Sequence, residues 1–143
     1  MKPSFQDADI VLRLYELRGE VVMRESRDML NQKFLPKNFD DVKEVMTNFT
    51  NPLNRPFRQV STYWEMAYGM ARHEIVVADY LAETSAEGFL LFVKIAPYLE
   101  QIRKEISSTA FTNTEWLANN SAVAEQRIGL MRKRIEAVMA GFK

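Results

Sequence analysis

Tyr63-Trp64-Glu65-Met66-Ala67-Tyr68-Gly69-Met70-Ala71 is apolar on nearly every side of a helix, with Glu65 its only charge. A helix of that kind sits at the centre of a helical fold, because no face of it is suited to water. Phe57, Val60, Trp64, Ala67 and Ala71 recur at helical spacing, and Tyr63, Met66 and Met70 fill the neighbouring face. The spacing therefore predicts one helix over 56–72. Near Arg72-His73 the pattern stops, and the β-branched run Ile75-Val76-Val77 restarts it. A short helix over 76–83 is predicted there.

Working outward, the N-terminal segment reads as a helix over 5–34. Ser4 is placed to cap it, with Asp7 and Asp9 in the first turns where carboxylates favour the dipole. Ile10, Leu14, Leu17 and Val21 form its main stripe, and Leu12, Tyr15 and Val22 widen the apolar face. A short helix over 39–49 follows, capped by Asn38. Thr84 and Glu87 have capping-box spacing and predict a helix over 85–106, kinked at Pro97. Thr112 and Glu115 repeat that spacing ahead of a last helix over 113–141. Its heptad runs Leu117, Ser121, Ala124, Ile128, Met131, Ile135, Val138 and Phe142, the seam of a bundle or coiled coil. The predicted fold is all-α: a helical bundle of four long helices with one or two short ones, a single domain over 1–143. Its predicted core is Leu14, Leu17, Val21, Val60, Trp64, Ala67, Phe92, Ala96, Leu99, Ile128, Met131 and Ile135.

Composition fits such a fold. Of 143 residues 47% are hydrophobic, enough for one core. Nineteen Lys and Arg balance nineteen Asp and Glu, so no concentrated positive field is available to track nucleic acid. Arg132-Lys133-Arg134 reads as a solvated face of the last helix. The longest strictly apolar run, Phe89 to Val93, is too short to cross a membrane. With acids near the N-terminus, no signal peptide or anchor is expected, and a cytoplasmic location is.

The absence of cysteine removes thiolate chemistry, and one histidine cannot supply the paired ligands of a di-iron bundle. His73 reads as a helix-end histidine and the eight methionines as core filler, so neither a metal nor any other cofactor is expected. No nucleophile–base pair can be assembled, which leaves no catalytic residue to name and weighs against an enzyme.

Glu65 remains the costly residue. A carboxylate on a central helix needs an arginine, a hydroxyl or a proton, and Arg103 is the expected partner. If the role is a pocket instead, Glu65, Trp64, Tyr68 and Arg103 would line a ligand site.

Tyr63 to Ala71, then Ile75 to Leu81, then Phe92 through Pro97 to Arg103 resemble an uncharacterised bacterial helical family, a domain of unknown function. The similar features span about 57–105: a Glu in an apolar helix, a short turn, a small acidic helix, and a helix ending in Pro-x-x-x-x-x-Arg. Members of that family often carry an N-terminal membrane anchor, and the resemblance implies no activity. Taken together, the expected function is a non-enzymatic interaction or regulatory module that self-associates or meets a protein partner. The alternative is a small-molecule-binding bundle with its pocket at Glu65. A dimer through long-helix surfaces is expected from the excess apolar width at Leu12, Tyr15 and Val22.

Overall fold

The computed structural model describes residues 1–141. In chain order its helices are α1 (Phe5–Arg18), α2 (Val21–Lys33), α3 (Phe39–Thr47), α4 (Asn54–Arg72), α5 (Ala78–Thr84) and α6 (Gly88–Ile95). A 3-10 turn (Ala96–Tyr98) leads to α7 (Leu99–Glu105), α8 (Thr112–Asn120) and α9 (Ala122–Ala140). No strand forms among the described residues, so the all-helical bundle read from periodicity is the fold.

The apolar segment that predicts a central helix is one. α4 packs chiefly against α2 and α8 and also meets α3, α5 and α6, while α9 closes the bundle over α5, α6 and α8. Phe57, Val60, Tyr63, Trp64, Ala67, Tyr68 and Ala71 are all buried. Two aromatic chains extend from them. Tyr63, Trp64, Tyr68 and Phe89 have successive ring centroids 4.9, 5.4 and 4.9 Å apart. Phe34, Phe57, Phe111 and Phe92 follow at 5.6, 6.2 and 6.3 Å. Each fully buried large side chain contributes roughly 1.5–3 kcal/mol of transfer free energy, with about 0.5–1.5 more per well-placed ring pair. Gly88 opens α6 because a Cβ there would lie 2.5 Å from Trp64 Cγ and 2.6 Å from Tyr68 Oη.

Three predicted long helices are subdivided. The segment over 5–34 breaks at Gly19, the C-cap of α1, and Glu20, which is extended (φ −62°, ψ 149°). Long-range contacts then direct α1: Tyr63 Oη donates to the Leu14 carbonyl, and Arg18 Nη1 reaches Glu87 Oε2 at 2.7 Å. Leu14 is buried as predicted, but Leu17 and Val21, expected in the core, are 44% and 56% exposed. A straight stripe across residue 20 is lost once the backbone turns there. At Pro97 the expected kink within one continuous helix is instead a division: the residue sits in the 3-10 turn that separates α6 from α7, where its missing donor interrupts the ladder.

The segment over 113–141 breaks at Ser121, which is extended, buried and caps α9 by accepting from Ala124 N at 3.2 Å. Its hydroxyl also donates to Asp79 Oδ1 at 2.6 Å. Leu117, Ala124 and Ile128 are buried, Met131 and Ile135 half-buried, and Val138 is exposed, so the heptad has no continuous seam. Phe142 lies outside the described residues. Of the remaining predicted core, Phe92 and Leu99 are buried and Ala96 is half-buried.

The two predicted capping boxes do not form. Glu87 is drawn to Arg18 and Arg27, and Glu115 to Arg103. Ser4 and Asp7 form a complete capping box at α1 instead, and Asn38 caps α3 as expected.

Candidate functional site

Glu65 points from α4 at the start of α8. Its Oε2 accepts from Asn113 N at 3.0 Å, and Oε1 accepts from Thr114 N at 2.9 Å and Thr114 Oγ1 at 2.5 Å. Asn113 and Thr114 are the second and third residues of α8, whose N–H groups an N-cap side chain would ordinarily satisfy. The residue at that cap is Phe111, whose side chain has no oxygen to offer and whose backbone sits in the left-handed region (φ 57°, ψ 23°). Such a conformation costs about 1–3 kcal/mol for a non-glycine residue. Burial of the ring against Phe57 and Phe92 offsets it. Glu65 thus caps a helix other than its own. Asn113 completes the joint by donating to the Glu65 carbonyl at 3.0 Å and accepting from Arg72 at 3.1 Å.

The expected Glu65–Arg103 pair is not made. Arg103 Nη1 meets Glu115 Oε1 at 3.0 Å and its Nε donates to the Ala110 carbonyl at 3.0 Å, tying α7 and the following loop to α8. Both residues therefore serve the N-terminal end of α8 without touching. The reason is local: backbone N–H groups compete for the Glu65 carboxylate, and the nearer acid on α8 takes the guanidinium.

Trp64 and Tyr68 face the aromatic interior. Tyr68 Oη donates to the Ser85 carbonyl at 2.8 Å, and burial pushes its pKa well above the ordinary tyrosine range. Tyr63 is pushed up to about 12, chiefly by burial. Arg18, Glu87 and Arg27 form a charged cluster near Trp64. Arg27 Nε lies 2.9 Å from Glu87 Oε1 but off the hydrogen-bonding direction, an ion pair rather than a hydrogen bond. His73 is exposed at the C-cap of α4. Among the described residues no three His, Asp or Glu side chains converge to hold a metal ion.

Apolar surface lies elsewhere. Phe5, Leu12 and Tyr15 are 97%, 62% and 65% exposed, and Ala8 is half-buried between them. Their 3-4-3 spacing puts all four on one side of α1, away from Asp7, Val11, Leu14 and Arg18, which face the bundle. Asp9, Glu16 and Arg13 border the free stripe, and Arg18 stacks on the Tyr15 ring at 4.8 Å.

The profile of the family described as Domain of unknown function (DUF4760) matches residues 3–121. The chain belongs to this family. The matched stretch runs well past the residues 57–105 that carry the resemblance, and takes in α1 through α8 with the Ser121 break. The Glu65 cap and the free stripe of α1 both fall inside the DUF4760 region, while α9 follows it. Comparison with curated proteins and with solved structures finds no match. No helix among the described residues is long and apolar enough to cross a membrane.

Proposed function

We propose that this DUF4760 domain is a non-enzymatic interaction module that pairs with a second copy of itself through α1. The observation that carries the reading is the free stripe Phe5–Ala8–Leu12–Tyr15. A peripheral helix of a monomer needs one apolar stripe, and α1 already buries another through Leu14 and Val11. The 3-4-3 spacing is that of helix-on-helix seams. A two-fold contact must be complementary to itself, and the stripe meets that condition because acids and a base border it together. Zero net charge adds no long-range repulsion between copies.

The small-molecule reading at Glu65 has less support. A pocket acid must have lone pairs to offer, and three donors already occupy this carboxylate. Trp64, Tyr68 and Arg103 are likewise engaged in packing or pairing. Light scattering from low to high micromolar concentration tests the proposal. Wild type is expected to move toward twice the monomer mass, and Leu12→Glu to remain monomeric with unchanged helicity. A monomeric wild type throughout the range would refute it.

A further inference from the structure

A cleft of about 450 Å³ opens between the linker after α2, the 3-10 turn and the last turns of α9. Its apolar walls include Leu35, Pro97, Ile135 and Met139, and Lys94, Arg132 and Glu136 are its charged lining residues. That size, with mostly apolar walls and a few polar groups, is the form of a small-molecule site. Ile135 of the α9 heptad is half-buried against the core and also lines the cleft.

Lys94 distinguishes this cleft from a packing defect. The residue is 5% exposed, and its Nζ donates to one partner, the Leu30 carbonyl at 3.0 Å in the last turn of α2. An ammonium has three donors, and among the described residues no carboxylate lies within 4.0 Å of this one. The carbonyl end of α2 answers part of the charge; the rest has no counter-ion. Burial lowers the pKa of Lys94 to about 8, so the cation is retained at neutral pH at a cost. Arg132 adds a second positive charge, and Glu136 cancels only one of the two.

We propose that the cleft binds a small amphiphilic carboxylate, its head between Lys94 and Arg132 and its tail along Leu35, Pro97, Ile135 and Met139. The tail replaces water against apolar walls, and the head supplies the counter-charge that the buried ammonium lacks. This site is separate from the free stripe of α1 and does not depend on self-association.

Calorimetric titration with sodium octanoate tests it on the full chain, with octylamine (same tail, opposite charge) and acetate (head without tail) as comparisons. Octanoate is expected to bind saturably at one per chain, and the other two to show no saturable heat. Arg132→Gln changes an exposed side chain and keeps the fold; Lys94→Met keeps the stem. Each is expected to weaken octanoate at least fivefold. The proposal is overturned if octanoate does not saturate, if octylamine binds as well, or if neither substitution changes the affinity.

Discussion

At the scale of single residues, Glu65 shows how a carboxylate on an apolar helix can be satisfied without a cation. Two backbone N–H groups and a hydroxyl hold it, and in return it completes a helix whose own cap residue has no side-chain oxygen. Glu65→Gln keeps one accepting oxygen and replaces the other with a donor facing an N–H. A cost of about 1–2 kcal/mol is expected, the range of a lost cap or charge-assisted hydrogen bond. Urea denaturation of wild type and variant checks this. An unchanged midpoint would show that α8 does not depend on the capping. The acid itself is legible in the sequence as a residue that must be partnered. Its partner is not, because two of its three donors are the backbone N–H groups of Asn113 and Thr114, which every residue but proline possesses, and nothing in the sequence singles out the Thr114 hydroxyl. Lys94 carries a comparable signal as the one charge between Phe89 and Pro97.

Among the elements, α4 is legible because it rests on local chemistry, a surface apolar on nearly every side. The missing donor of Pro97 marks the place of an irregularity, read as a kink, at which the chain divides into two helices. The divisions at Glu20 and Ser121 are harder to read. The stripe Ile10, Leu14, Leu17 and Val21 keeps helical spacing across the turn, and the geometry there is fixed by contacts with Tyr63 and Glu87, far away in the chain. Ser121 sits at a heptad position and reads as a small residue in a seam. Its meaning as a cap depends on Asp79 and on the packing of α5 under α9. Ser121→Ala removes the α9 cap and leaves the Asp79 carboxylate without its donor. The expected cost is about 1–2 kcal/mol, measured by thermal unfolding. Hydrogen exchange should show the loss concentrated in the first turn of α9, and uniform exchange along α9 would contradict the capping role.

For the whole molecule, buried titratable groups set how stability varies with pH. The Lys94 ammonium titrates near 8 when folded against 10.5 otherwise, so between these values the folded chain holds fewer protons than the unfolded one. Stability must rise with pH across that window, by on the order of 3 kcal/mol for such a shift. Tyr63, pushed up to about 12, keeps its proton above pH 10 while the unfolded chain loses it, so stability falls again there. Denaturation midpoints from pH 7 to 11 should therefore pass through a maximum near pH 10. Lys94→Met should abolish the rise, since the Leu30 carbonyl retains Phe34 N at 3.0 Å. The association of two copies through α1 is the claim on which the functional reading rests. Because the chain has no cysteine, a single introduced thiol reports on one surface at a time. Leu12→Cys and Ile75→Cys, the latter exposed in the turn after α4, are treated with a short bismaleimide at equal micromolar concentration. Leu12→Cys is expected to give covalent dimer in high yield and Ile75→Cys little; equal low yields from both would contradict pairing through α1.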